Sequence, residues 1–206
     1  MRSWIFPILA FLLTASACHP RESTLQTGDL LFVGSGGSSM DEAIVSATGN
    51  LTHVAIVEID ADGNRWVIDA TPQRGVCRYS LDTLIQDNPG AVFLVKRLRD
   101  TSGVSRFVDN ARRFIGEPYD LSFLPGNDAH YCSELVRDAY RRPDGEYLFE
   151  DRPMNFLAPD GSMPSYWESL FGELGMPVPQ GIPGTNPQDM SASPLLETVP
   201  VVFQPV

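Results

Sequence analysis

The stretch that most constrains the fold is Leu51-Thr-His-Val-Ala-Ile-Val-Glu-Ile59, followed by Asp60-Ala-Asp-Gly-Asn64 and Arg65-Trp-Val-Ile-Asp-Ala70. Two β-rich runs flank a loop of turn-forming residues, so the spacing predicts an antiparallel hairpin. Side chains alternate along a strand. His53, Ala55, Val57 and Ile59 therefore share one face, and Val54, Ile56 and Glu58 the other. Counting back from the loop brings Asp69 near the level of His53, within cross-strand reach. A carboxylate there fixes the imidazole tautomer and stabilises the imidazolium that forms when the ring takes a proton. A lone histidine at a strand start is more often satisfied by solvent or backbone; the neighbouring acid is what singles out His53.

A second stretch supplies the partner for that base. In Asp128-Ala-His-Tyr-Cys-Ser-Glu-Leu-Val-Arg-Asp-Ala-Tyr-Arg141, residues Leu135, Val136, Ala139 and Tyr140 fall at helical spacing. The turn formers Pro125, Gly126 and Asn127 upstream set the helix start near Cys132. A thiol there faces unpaired N–H groups and the positive end of the helix dipole, which favour thiolate over thiol. An ordinary cysteine, with a pKa of about 8.5, is only slightly ionised at neutral pH. Cys132 is thus the candidate nucleophile, against the common alternative of a small buried hydrophobe. Of the remaining histidines, His19 lies in a polar tether. His130, on the approach to the helix, is expected at the rim of the site and not as its base.

The rest of the chain supports one α+β domain. Leu30–Val33 reads as a strand, and a helix capped by Ser38 or Ser39 ends at Gly49. Val76–Tyr79 is a short strand and Ser80 caps a brief helix. Ala91–Leu98 is a buried strand, and Val104, Phe107, Val108, Ala111 and Phe114 mark the core face of a helix from Ser102 to Ile115. Gly34-Ser-Gly-Gly-Ser38 lacks the lysine and spacing of a phosphate-binding loop. Ser165–Phe171 is a short helix. From Gly172 onward seven prolines limit regular structure, although Asn186 and Pro187 can start one helical turn. Apolar residues in this tail point to an extended segment lying on the domain.

A net charge of −11 without a basic run argues against nucleic acid and against electrostatic docking on an anionic membrane. Arg2, the apolar run Trp4–Leu13 and the small residues before Cys18 form an export signal, residues 1–17. A cysteine directly after small residues resembles a lipoprotein signal with Cys18 as the lipidated first mature residue; Ala15 stands where leucine is usual. The alternative is a plain secretory signal cut near Ala17. Either way the expected location is outside the cytoplasm, at the periplasm or cell surface. Residues 18–26 are the tether and residues 27–206 the domain, with a proline-rich segment over 172–206. Cys77 and Cys132 are both expected as free thiols, because a domain this size needs no single staple. The acids and imidazoles show no metal-ligand spacing, so neither a metal nor a cofactor is expected.

The motifs Thr27-Gly-Asp-Leu-Leu-Phe, Thr52-His-Val-Ala-Ile-Val, Val67-Ile-Asp-Ala, Gly116-Glu-Pro-Tyr-Asp and Tyr131-Cys-Ser-Glu-Leu-Val occur in one order. In that order the chain resembles the YiiX-like, circularly permuted branch of the NlpC-type papain-like cysteine hydrolases, over roughly Leu25–Leu196. The resemblance implies a small antiparallel, barrel-like sheet packed against the cysteine helix. It implies Cys132 as nucleophile, His53 as general base and Asp69 as third residue, where relatives often carry glutamate. Tyr131 matches the aromatic before the cysteine and is expected to shape the oxyanion site, with the backbone N–H of Cys132 as donor. Glu134 also matches a family position. Amide or peptide bonds of the cell wall are the leading substrate. Acyl hydrolysis or transfer on lipid-linked substrates, and an inactive binding module of the same fold, remain the alternatives.

Overall fold

The computed structural model describes residues 24–201 and 203. The expected signal 1–17, Cys18 and the tether up to residue 23 lie outside the described residues. Among the described residues eight strands and six helices follow one another: β1 (Leu30–Gly34), α1 (Ser39–Ala47), β2 (Leu51–Ile59), β3 (Arg65–Thr71), β4 (Gly75–Ser80), α2 (Leu81–Asp87), β5 (Phe93–Leu98), α3 (Val104–Arg113), α4 (Cys132–Ala139), β6 (Arg152–Pro153), α5 (Ser165–Leu174), β7 (Pro183–Gly184), α6 (Pro187–Ser191) and β8 (Leu196–Val199). Six strands make one antiparallel sheet in the order β4-β3-β2-β1-β5-β8. The fold is α+β, with the sheet packed against the cysteine helix.

The sheet is covered on both faces, which is why its strands read as continuous apolar runs. On one face Leu30, Phe32, Val54, Ile56 and Ile68 pack against Leu135 and Val136 of α4 and Phe107 and Val108 of α3. On the other, Leu31, Val33, Ala55, Val57 and Val67 pack against Leu81 and Leu84 of α2. A third, mostly aromatic cluster of Phe123, Tyr131, Phe156, Trp167 and Phe171 lies beyond the start of α4.

Local chemistry sets the element ends. Ser38 accepts the Asp41 N–H while the Asp41 carboxylate takes the Ser38 N–H, a capping box that starts α1. Ser80 caps α2, and Asn186 with Pro187 starts α6. Gly28 adopts φ 86°, where a β-carbon would collide with Val104, and its carbonyl accepts the Tyr140 hydroxyl at 2.8 Å. That bond ties the end of α4 to the entry of β1. Beside it the buried Asp29 receives a two-pronged ion pair from Arg97, at 2.6 and 2.8 Å. Removing either partner strands a buried charge, at a cost of roughly 3 kcal/mol or more.

Near both ends of the domain the structure differs from the sequence reading. Thr24–Gln26, expected as the end of the tether, belong to the domain surface: Leu25 packs on the second cluster, and the Thr24 carbonyl accepts from Arg97. The proline-rich segment also yields more regular structure than its composition suggests. Leu196–Val199 falls between Pro194 and Pro200, keeps all its N–H donors and adds β8 to the edge of β5. Arg152 and Pro153 pair with Gly184 and Pro183 as a two-residue ribbon.

Candidate active site

Helix α4 starts at Cys132 because Tyr131 takes extended backbone, φ −89° and ψ 168°, and offers no side-chain cap. The first-turn N–H groups are left without a side-chain acceptor, the arrangement that draws negative charge to a helix start. Cys132 is 5% exposed and lines a cleft. Cys77 is also a free thiol.

His53 lies on β2, paired with Val33 of β1. The β2–β3 ladder runs from Ile59↔Arg65 to Ile56↔Ile68. Continued to Ala55, this register sets Asp69 diagonal to His53 on the same face, a separation that long side chains bridge. The contact is direct: His53 Nε2 lies 2.8 Å from Asp69 Oδ1. The other oxygen of Asp69 accepts the Tyr79 hydroxyl at 2.6 Å. Asp69 is fully buried, with one oxygen on His53 and one on Tyr79. The β3–β4 register explains Tyr79: Cys77 stands opposite Asp69, and Tyr79 is two residues on, on the same face.

The Cys132 thiol is close enough to act on the same ring. With Nε2 held by Asp69, Nδ1 is the nitrogen left for the thiol. Burial alone would lower the His53 pKa. The charges of Asp69 and Cys132 and the side-chain contacts with both outweigh it, so the pKa stands well above 6.5. Burial, with the Asp69 charge, pushes the Tyr79 phenol far up, which keeps it a donor. The same two causes raise the Cys77 thiol, which disfavours its thiolate as a rival nucleophile.

Tyr131 lines the cleft with its ring, while its hydroxyl accepts the Thr185 N–H at 3.0 Å. The same hydroxyl donates toward the Met154 sulfur at 3.8 Å. Ser133 and Thr185 hydroxyls meet at 3.1 Å, a second clamp between α4 and the tail. His130 is not a rim residue. Its ring is buried against Phe114, with Nδ1 2.7 Å from Glu117 and Nε2 3.3 Å from Asp138. A backbone pairing with Pro118 and Asp120 turns it away from the cleft.

Glu134, in the first turn of the helix, faces the same interior. One oxygen is 3.6 Å from Arg137, whose closer contacts go to Asp138 and Asp151 at 2.8 and 2.6 Å. The other oxygen is buried without a partner. Burial pushes its carboxyl up to about 7, against the partial offset of Arg137. Between the ordinary carboxylate range and about pH 7 the folded state holds a proton the unfolded chain has released. Stability conferred by the neutral acid therefore falls as pH rises through that window. Glu134→Gln is expected to raise the melting temperature at pH 8 by a few degrees and to leave it unchanged at pH 4.5; thermal unfolding at both pH values checks this.

The cleft over Cys132 has a cavity volume of about 50 Å³. Its walls come from α1, the 119–123 loop, the aromatic cluster and the tail. Asp120 shapes the loop: its oxygens accept from the Ser122 N–H and hydroxyl and from the Leu124 N–H. Between them Phe123 is held at φ 53°, unusual for a bulky side chain. A larger depression lies between Leu148–Arg152 and the tail, and neither Cys132 nor His53 lines it.

Residues 24–200 match the permuted papain-like amidase enzymes of the YaeF/YiiX, C92 family. The chain is similar to the uncharacterized protein YiiX of Escherichia coli (strain K12), with 29% identity over 179 residues, covering 84% of this chain and 85% of the relative. It is also similar to the crystal structure of metalloprotein YiiX from Escherichia coli O157:H7. That likeness has a TM-score of 0.73 and 25% identity, covering 87% of this chain and 98% of that one. In this chain, among the described residues, no three His, Cys, Asp or Glu side chains converge in a way that could hold a metal ion. Asp69 turns Oδ1 toward His53 Nε2, at 2.8 Å, and accepts the Tyr79 hydroxyl on Oδ2. The described residues do not fit a metal.

Proposed function

The chain belongs to the permuted papain-like amidase family, and from that membership and the Cys132–His53–Asp69 cluster we propose a cysteine amidase working in the cell envelope. One observation carries the proposal. A fully buried carboxylate holds the far nitrogen of His53, and the same ring reaches a thiol at the start of a helix.

The chemistry follows from those positions. His53 Nδ1 takes the proton of Cys132, and the Asp69 charge stabilises the imidazolium. The thiolate attacks the amide carbon, and the C=O electron pair moves onto oxygen, beside the Cys132 N–H. Collapse of the tetrahedral species breaks the C–N bond. His53 gives its proton to the departing amine, leaving a thioester on Cys132. Water then loses a proton to His53 and attacks the thioester, which releases the acid and returns the thiol. Tyr79 holds Asp69 in place while the charge on His53 changes.

The experiment is intact mass of the protein during turnover of an amide. An acyl adduct on Cys132 that decays with product formation supports the mechanism; turnover with the adduct on another residue, or with none in Cys132→Ser at undiminished rate, contradicts it. The envelope location rests on the N-terminal sequence. Retention in the membrane fraction, lost in Cys18→Ser, tests the lipid anchor.

A further inference from the structure

His130 is a buried imidazole that the mechanism leaves unused, and it stands two residues before Cys132. Both ring nitrogens face carboxylates: Nδ1 lies 2.7 Å from Glu117, and Nε2 lies 3.3 Å from Asp138. A neutral imidazole carries one N–H and would turn a lone pair on one of the two acids. Only imidazolium offers a proton to each. The Glu117 contact is close but not aligned as a hydrogen bond, so it acts as an ion pair. Phe114, at the end of α3, packs against the ring, and Glu117 follows it in the chain. Helix α4 adds Asp138, Glu134 and Arg137, and Arg137 is itself bound to Asp138 and Asp151. Burial alone would lower the His130 pKa. The Asp138 hydrogen bond and the charges of Asp138, Glu134 and Glu117 outweigh it, and the pKa stands above 6.5.

What His130 holds together decides its role. The Gly116 N–H donates to the Val76 carbonyl and the Val76 N–H to the Glu117 carbonyl, each at 2.8 Å. That pairing fastens residues 116–117 to the start of β4, where the next residue, Cys77, stands opposite Asp69. The join has no slack, because a β-carbon on Gly75 would come within 2.5 Å of the Glu117 carbonyl oxygen. Further along, the His130 N–H donates to the Pro118 carbonyl at 3.1 Å and the Asp120 N–H to the His130 carbonyl at 3.2 Å. A continuous path thus runs from the strand beside Asp69, through residues 116–120, to the start of α4. The His130 ring ties this path to Asp138 on α4. Tyr119, within it, lines the cleft at Cys132.

We propose that His130 is a positioning residue: as an imidazolium clamped between Glu117 and Asp138, it sets the start of α4, and with it the Cys132 thiol, against the His53–Asp69 pair. The inference rests on the Cys132–His53 mechanism above and adds a group that acts through the backbone. Its pH sense follows from the direction of the shift. The clamp is intact below the ordinary histidine range and is lost as pH rises through the higher folded value. Activity should therefore weaken on the alkaline side.

The test uses the full chain and Glu117→Gln, which keeps the shape of the contact and removes its charge. Glu117 has a 31% exposed side chain, and a melting curve at pH 5.5 checks that the variant folds. Asp138→Asn, on the other side of the ring, is expected to act in the same direction. Proton NMR of the imidazole rings, assigned with His130→Gln, reads the His130 titration without turnover. Its midpoint is expected above 6.5 in the wild type and lower in both variants. Acylation is read with p-nitrophenyl acetate, after subtraction of the rate with Cys132→Ala. The rate in Glu117→Gln is expected to stay within about twofold of wild type at pH 5.5 and to fall about threefold or more below it at pH 8. Superimposable pH profiles in wild type and Glu117→Gln, or a wild-type His130 midpoint at or below 6.5, overturn the proposal while leaving the nucleophile in place. Absence of Cys132-dependent release in the wild type at every pH removes the mechanism, and the positioning role with it.

Discussion

Cys132→Ala is expected to lower amidase kcat by roughly 10,000-fold or more, with no accumulation of an acyl adduct. The substitution takes away one sulfur in a site whose remaining parts stay assembled. His53 keeps its contact with Asp69, and α4 keeps its apolar stripe, because Leu135, Val136 and Ala139 do not depend on the thiol. Residual turnover then measures what binding and the helix-start donors do alone. Paired kinetics and melting curves separate the outcomes: a stable variant that keeps its rate would remove Cys132 from the mechanism.

The second large effect is expected at Asp69. Asp69→Ala takes away both the orientation and the charge behind His53, and kcat/KM should fall by about 100- to 10,000-fold. It also frees the Tyr79 hydroxyl and the His53 Nε2 in a buried pocket. Asp69→Asn distinguishes the two contributions. An amide oxygen can still receive the His53 Nε2–H, yet it carries no charge to hold the imidazolium. The asparagine variant should therefore fall between wild type and alanine, and the pKa of His53 should drop in both variants. The sign follows from His53 itself: its pKa is raised mainly by the Asp69 charge working against burial. A kcat/KM that does not change in Asp69→Ala would reduce the contact at 2.8 Å to a structural one.

The sequence made the hairpin legible because its alternation and its Asp-Gly loop leave little freedom, and the caps at Ser38, Ser80 and Asn186 follow from side chains that compete for helix N–H groups. His53, Asp69 and Cys132 could be named from residue type and position alone, and the structure brings them together. Tyr79 was missed, although a signal existed. Val76–Tyr79 reads as a strand, and alternation puts Cys77 and Tyr79 on one face; what the sequence lacks is the β3–β4 register that sets that face against Asp69. His130 was placed on the rim because it is near the thiol in the chain, whereas its backbone pairing with Pro118 and Asp120 is invisible in a linear reading. The aromatic cleft was illegible for a related reason. Phe123, Phe156 and Trp167 come from three separated segments with no shared period, and they meet only through the fold. In the tail, proline count concealed a four-residue strand that contains no proline.

The most direct test of the account is the rate of Cys132 alkylation by a small neutral haloacetamide across pH, in the wild type and in His53→Ala. A nucleophile paired with an imidazolium should react at pH 6 to 7 at a rate close to its plateau. It should slow roughly tenfold or more there in His53→Ala, whose profile should follow an ordinary thiol near pH 8.5. Superimposable profiles with an ordinary thiol titration in both proteins, or no reaction of Cys132 in either, would contradict the pairing of Cys132 with His53 on which the mechanism depends.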